Sequence, residues 1–417
     1  MKKSLFVLGL LGASASALTA TVAPAEAQDK TRWKMQSAFA SSLTHLGPSG
    51  LRFAKNIDRM SGGRFEVKFY EPGALIPPLE CFDAVSKGSI ESCWTTPGYH
   101  TGKYPSLAFF TTVPFGPTLG EFLAWKWHGG GNKLRDEIYA KHDLVAVDAS
   151  CIGPETSGWF RKEVKSVEEM KGIKMRFFGL GAQVMQKLGV STQLLAAADI
   201  YQALERGVID ATEFSMPAMD IKLGFHQIAK FNYFPGWHQQ VSCSEFLMNK
   251  KAYDALPDAY KAMIEVAGQA QVIYTYAETE ATQFEVMAEM RDKHKVQIKR
   301  WDDKALAAFE KAWEALPDAY KAMIETAGEA QISFTYSETE ATQFGVMAEM
   351  RDKHNVQVKR WGDKDLAAFE KGWREGLKEE SAKDPLFKKV ADHYLDFRKK
   401  YAIWGESQAM KASYLDK

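Results

Sequence analysis

The stretch FEVKFYEPGALIPPLECFDAVSKGSIESCW, Phe65 to Trp94, decides the fold class. Phe65-Glu66-Val67-Lys68-Phe69-Tyr70 alternates apolar and polar residues with period two, the pattern of a half-buried strand. Pro78 to Lys87 has helical spacing and stops at Gly88, and Ile90 to Trp94 reads as a further strand. Upstream, Trp33 to Phe39 alternates like a strand, and Leu51 to Ile57 has helical spacing ended at Gly62-Gly63. Strand and helix in strict succession predict an α/β fold with a mostly parallel sheet covered on both faces.

A second unit of the same kind begins after Cys151. Trp159-Phe160-Arg161 precedes the helical turn Val167 to Gly172, the strand Ile173 to Phe177, helices Gly181 to Leu188 and Ala197 to Arg206, and the strand Ala211 to Phe214. The chain is expected to build one lobe from residues 28–150, cross to a second over 151–241, and return near Val241 to add 242–256 to the first. Two α/β lobes joined by crossing strands define a cleft, and ligands of such folds bind at the carboxyl ends of the strands.

Residues 253–312 then recur as 313–372, for instance Leu256-Pro257-Asp258-Ala259-Tyr260-Lys261 as Leu316-Pro317-Asp318-Ala319-Tyr320-Lys321. Roughly three quarters of the positions are identical over this one period. Two copies in a non-repetitive chain are a duplication, because a solenoid needs about three stacked units to bury its faces. The block therefore reads as an insert, with the binding chemistry elsewhere. Each copy is expected to form a long helix (Pro257 to His294, or Pro317 to His354), a strand (Val296 to Lys299, or Val356 to Lys359) and a helix opened by Asp303 or Asp363. Proline in the first helical turn, where its missing donor is not needed, supports the start. Residues 373–417 read as C-terminal helices. Asp392 to Trp404 has the apolar spacing of a docking helix, for a partner or for the chain's own core.

Lys2 and Lys3, the apolar run Leu5 to Leu18 and Ala25-Glu26-Ala27 form a secretory signal with cleavage expected after Ala27. No later apolar run is long enough to span a bilayer, so a soluble mature chain is expected. Lys and Arg number 53 and Asp and Glu 53, and 46% of residues are hydrophobic. That is material for a well-buried core, with no basic excess to draw nucleic acid. In an oxidising compartment the four cysteines invite pairing. Cys81 with Cys93 joins a helix to its following strand, and Cys151 with Cys243 joins two strands expected side by side; for the second pair, free buried thiols are the alternative.

Several motifs together resemble the solute-binding proteins of tripartite ATP-independent periplasmic (TRAP) transporters: Phe69-Tyr70-Glu71-Pro72-Gly73-Ala74-Leu75, Ala84-Val85-Ser86-Lys87-Gly88, Phe109 to Gly116, Trp159-Phe160-Arg161, Gly172-Ile173-Lys174-Met175-Arg176 and Ala203 to Ala211. The resemblance runs from about Trp33 to Trp404, interrupted by the extra copy. It implies a two-lobed, type II periplasmic-binding-protein-like α/β fold with long helices, here with a duplicated helical C-terminal segment. It also implies a periplasmic location and delivery of ligand to TRAP membrane subunits.

The branch most similar binds 2-oxo or 2-hydroxy monocarboxylates through a bound cation. By that resemblance Arg176, on the second lobe's first strand, pairs with the ligand carboxylate, and a guanidinium fork suits that planar anion. The cation site maps onto Glu155, Glu213, the carbonyl of Phe214, and Gln239. Glu155 stands where an amide is usual and Phe214 where an indole is usual. A second carboxylate favours Ca²⁺ over Na⁺, both remaining open; a solvated Glu155 without metal is the alternative. Tyr99 would donate to a ligand oxygen, Phe178 and Trp237 would wall the pocket or belong to the core, and His100 reads as an exposed cleft histidine. The branch also implies a homodimer made through the C-terminal helices.

Enzyme readings fit less well. Trp127-His128-Gly129-Gly130-Gly131-Asn132 imitates an esterase oxyanion loop, but the chain has no Gly-x-Ser-x-Gly elbow. Gly179-Leu180-Gly181 lacks the third glycine of a dinucleotide loop and reads as a helix start. His294 and His354 end helices, where a cation suits the dipole. A metal-dependent hydrolase lacks a positioned nucleophile with a base beside it, and an extracytoplasmic sensor would use the same cleft.

Overall fold

A computed structural model describes residues 30–315 and 385–408, with short helical pieces between 371 and 383. The signal segment and nearly all of the second copy lie outside the described residues. In chain order the main elements are β1 (Thr31–Ser37), α1 (Leu46–Met60), β2 (Phe65–Tyr70), α2 (Cys81–Ser86), β3 (Ser92–Thr95), α3 (Leu119–Trp127), α4 (Gly131–Ala140) and β4 (Leu144–Ile152). There follow β5 (Gly158–Phe160), β6 (Lys174–Arg176), α5 (Gly179–Lys187), β7 (Ser191–Gln193), α6 (Ala197–Glu205), β8 (Ala211–Thr212), α7 (Pro217–Asp220), α8 (Phe225–Ile228), β9 (Phe231–Phe234) and β10 (Ser242–Asn249). The described C-terminal part comprises α9 (Lys250–Asp254), α10 (Asp258–Asp292), β11 (Gln297–Arg300), α11 (Asp303–Glu314) and α12 (Pro385–Gln408).

The strands form two sheets, ordered β2-β1-β3-β10-β4 and β11-β9-β5-β8-β6-β7. Helix-linked neighbours such as β1 and β2 run parallel, Thr31 opposite Phe65. Both sheets are nevertheless mixed, which corrects the mostly parallel expectation. β10 is antiparallel to β3 and β4, and β5 is antiparallel to β8 and β9. These are the segments by which the chain crosses from one sheet and returns, so they meet their neighbours head to tail. Cys151 and Cys243 face each other in the β4–β10 register and are bonded, as are Cys81 and Cys93.

The first sheet carries a buried charge hub. Asp148 on β4 accepts from Lys126 Nζ at 2.8 Å, Arg135 Nη1 at 3.0 Å, Trp127 Nε1 at 2.8 Å and Asn132 Nδ2 at 2.8 Å. The glycine run 129–131 is thereby a turn between α3 and α4, with Gly130 at φ 85° in the left-handed region that glycine tolerates.

The first copy of the repeat is architecture, which corrects its reading as an insert. α10, about 52 Å long at 1.5 Å per residue, lies along β4, α1 and α12. A Cβ on Gly268 would stand 2.5 Å from the Asp148 carbonyl oxygen, so glycine sets how closely this helix approaches the sheet. β11 extends the second sheet beside β9, Gln297 opposite Phe231, and Trp301 stacks on Tyr233 at 4.2 Å. α11 opens at Asp303 as expected from the sequence, with Asp302 before it as the cap that accepts from Ala305 N at 2.7 Å. Asp302→Ala is expected to cost about 1 kcal/mol, read as a lower denaturant midpoint with an unchanged slope.

Within α12 lies the docking-helix pattern Asp392 to Trp404. Trp404 is buried, its Nε1 3.3 Å from Glu280 Oε2, and its ring meets Phe234 edge-on. This side chain is spent inside the chain's own core.

Candidate functional site

Between the two sheets a cavity of about 30 Å³ is lined by Phe39, Tyr99, Ile152, Glu155, Arg176, Phe178, Phe214 and Gln239, among others. The lining comes from chain just beyond β3, β4, β6, β8 and β9, where successive strands end and the backbone turns inward. Of the residues singled out from the sequence, Arg176, Tyr99, Glu155, Phe178, Phe214 and Gln239 converge here, and Glu213 stands directly behind Arg176.

Arg176 lies on β6, which is the second strand of its sheet in chain order and not the first. Its Nη1 donates to Glu213 Oε1 at 2.8 Å and to the Glu213 carbonyl at 2.6 Å. The guanidinium also stands 5.2 Å from the Phe214 ring centre and 5.8 Å from that of Phe178. Arg176 is 1% exposed and Glu213 0%, so water screens neither charge.

Glu213 Oε1 further accepts from Phe178 N at 2.5 Å, and Oε2 faces Gln239 Nε2 at 3.4 Å. Gln239 Nε2 donates to Glu155 Oε2 at 2.5 Å, which ties the two carboxylates through one amide. Burial pushes the Glu213 carboxyl up, but the charge of Arg176 and the approach of His238 outweigh it and hold the group below the usual range. For Glu155, burial and then the charges of Glu213 and Asp220 push the carboxyl well above its ordinary value. Asp220, capped by Trp159 Nε1 at 2.8 Å, is raised by burial to about 8. Burial raises Tyr99 to about 12 against the opposing charge of Arg176, so its hydroxyl stays a donor.

The site thus holds more buried acid than Arg176 alone balances. Ligand atoms of Glu155, Glu213 and His238 lie within 4.8 Å of one another, and Gln239 Oε1 is buried with no hydrogen-bond partner among the described residues. Two carboxylates and an amide oxygen are the donor set of a hard cation, and a flip of the Gln239 amide would turn that oxygen toward the carboxylates. The residues present therefore fit Ca²⁺ or Na⁺.

Two sequence expectations fail. Trp237 does not line the cavity; it packs in the second sheet's core, stacked on Phe309 at 4.7 Å and on Phe115 at 5.5 Å. His100 is not exposed but 2% accessible against Phe82, and burial lowers it to about 3, leaving it neutral.

Sequence reasoning missed His238, whose only signal was its place beside Gln239, and Gln408, for which there was none. Gln408, from the end of α12, donates to the Glu155 carbonyl at 3.0 Å and accepts from Gly236 N at 3.1 Å. It pins together the two loops that carry Glu155 and Gln239. Gly236 packs so closely that a Cβ would come within 2.0 Å of the Glu155 carbonyl oxygen. Gln408→Ala leaves two buried backbone groups unpaired and is expected to weaken ligand binding by roughly tenfold, about 1.4 kcal/mol, measured by calorimetry.

Residues 37–312 match the family model described as bacterial extracellular solute-binding protein, family 7 (DctP). The chain belongs to this family, one of binding proteins, which removes the hydrolase reading. The match ends at Ala312, the last residue of the first copy of the repeat. A monocarboxylate 2-oxoacid-binding periplasmic protein of Nostoc sp. is 41% identical over 237 residues, 57% of this chain and 65% of that relative's length. The chain thus spans just under two thirds of that relative in alignment.

Among solved structures, a TRAP transporter solute-binding protein of Bordetella bronchiseptica is 31% identical with a TM-score of 0.70, over 78% of this chain and 97% of that one. It is a dimer of mixed occupancy, with copurified calcium and picolinate bound at one active site and the other apo. One from Pseudoalteromonas atlantica, with bound sodium and pyruvate, is 28% identical with a TM-score of 0.69, over 80% of this chain and all of that one. Among the described residues no helix is long and apolar enough to cross a membrane.

Proposed function

We propose that this protein captures a small monocarboxylate, a 2-oxo or 2-hydroxy acid, together with a cation, and hands it to the membrane subunits of a TRAP transporter. The observation that carries the reading is the convergence of Arg176, Glu155 and Gln239 on one cavity between the sheets, with Glu213 bonded to Arg176 behind it. Arg176 would bind the carboxylate and Tyr99 would donate to a second ligand oxygen. Glu155, Glu213, Gln239 and the Phe214 carbonyl would hold the cation, which when bound neutralises the acidic pair and polarises the ligand's 2-oxygen. Phe178 and Phe214 exclude water, which strengthens each charge contact. A volume of about 30 Å³, room for roughly two waters, favours the smallest acids of the class. The bound ions and acids of the Bordetella and Pseudoalteromonas relatives support the same chemistry.

The units around the two sheets act in this reading as the lobes of a clamp. We also infer self-association into a homodimer, on the precedent of the Bordetella dimer; a strict monomer in light scattering overturns that part.

The test is thermal unfolding with pyruvate, lactate or picolinate, each in EDTA, Na⁺ or Ca²⁺, since a ligand that binds only the native state raises the melting temperature. A rise with pyruvate or lactate that requires the cation is expected. No rise with any of these acids overturns the assignment.

A further inference from the structure

The seat that α10 occupies is made by β4, α1, α7 and α12, and the side chains that fill it are repeated in the second copy. Tyr260 stacks on Phe65 at 5.2 Å, Gln271 accepts from Arg52 Nε at 3.2 Å, Thr279 Oγ1 meets Gly153 N at 3.3 Å, and Gln283 Oε1 accepts from Ala218 N at 3.0 Å. Their counterparts Tyr320, Gln331, Thr339 and Gln343 are identical, and Gly328 repeats the Gly268 against which the sheet backbone packs.

Where this helix differs between copies, the exposed face takes much of the change. Val266 is 56% exposed and becomes Thr326; Ile273 is 54% exposed and becomes Ser333. The α11 segment differs at positions that matter. Asp302, its cap, becomes Gly362, and Ala305, 5% exposed, becomes Asp365. An aspartate in the place of Ala305 would put a carboxylate among the apolar side chains that surround it.

We propose that the second copy is a competing occupant of the α10 seat in its own chain, kept out by the better fit of Asp302 and Ala305 in the neighbouring α11 seat. The tandem arrangement permits the exchange without rethreading. With the second copy seated, residues 253–312 become the connection, leading to Trp313-Glu314-Ala315-Leu316-Pro317 in the place of Tyr253-Asp254-Ala255-Leu256-Pro257. The duplication would then supply a spare for a segment that covers the first sheet and extends the second.

The full chain tests this with glycine-to-valine changes, which block a helix from the close approach to Asp148. Gly268→Val alone is expected to keep a cooperative unfolding transition at a lower melting temperature, and Gly328→Val alone to be silent. Together they should abolish the transition. Adding Gly362→Asp and Asp365→Ala to Gly268→Val should raise its melting temperature, because they give the second copy the cap and small side chain of the first. If Gly268→Val alone loses as much as the double variant, or the double variant unfolds like Gly268→Val, the proposal is overturned. A higher mass than wild type for Gly268→Val in light scattering would overturn exchange within one chain.

Discussion

Arg176→Ala is expected to abolish measurable carboxylate binding, with affinity falling at least about 100-fold, near 3 kcal/mol. The loss has two sources. The ligand carboxylate loses its buried, charge-assisted partner, and Glu213, which now spends Oε1 on Arg176, is left as an uncompensated acid beside Glu155. Removing one member of a buried pair typically costs about 3–5 kcal/mol, so the unliganded protein should also unfold more easily. Raising the cation concentration should recover some of that stability, since the cation would balance the exposed pair of acids, but should not restore ligand affinity. Calorimetry with pyruvate and Ca²⁺ measures the affinity. Binding within threefold of the unsubstituted protein would remove Arg176 from the site.

Asp148→Ala is expected to be the most damaging substitution away from the cavity, lowering the unfolding free energy by about 3–5 kcal/mol. It leaves Lys126 and Arg135, both almost fully buried, facing each other with no common anion. The pH dependence follows from the same hub. Burial pushes Asp148 up, yet the charges of Lys126 and Arg135 overcome this and bring it to about 2, below its ordinary value of 3.8. A carboxylate whose pKa is depressed in the native state contributes stability that is fully present above about 4 and is lost as pH falls through about 2.

Glu245 has the opposite sign. Burial raises it to about 7, against Arg135 and the Tyr139 hydroxyl at 2.6 Å. The native state therefore holds a proton that the unfolded state releases near 4.5, and stability declines as pH rises from there toward 7. Glu245→Gln should make that decline shallower in urea titrations between pH 5 and 7, with Glu155 and Asp220 keeping their own share, while leaving the acid limb in place. An unchanged alkaline limb would show that Glu245 does not hold the proton.

The period-two and 3.6 patterns made much of the fold legible. Phe65–Tyr70 has the same bounds in sequence and structure, because a strand with one buried face writes its register into its own residues. The sense of β10 was not legible, since no local pattern says which way a returning strand runs. The first copy was misread for a related reason. Repetition shows that a block was copied but not that its original already covered the first sheet and extended the second, as Gly268 and β11 show. At the site, Arg176, Glu155, Glu213 and Gln239, singled out by residue type and resemblance, stand beside one another. Trp237 failed because an indole beside a pocket loop and an indole in the core look alike in sequence. Gln408 could not be anticipated, because its contact with Glu155 joins positions 253 apart.

Among the described residues β4 has one neighbour only in the first sheet, β10, and that strand arrives with Cys243, 92 residues after Cys151. Synthesis delivers the chain from its N-terminus, so the first sheet waits for β10 until β5 to β9 of the second have been made. A nascent chain halted between residues 152 and 242 would carry an open strand edge and an unmated thiol together, an invitation to wrong pairing. Maturation of this protein is therefore a matter of timing. Whatever keeps β4 covered and Cys151 reduced during that interval decides how much of the product reaches its final form.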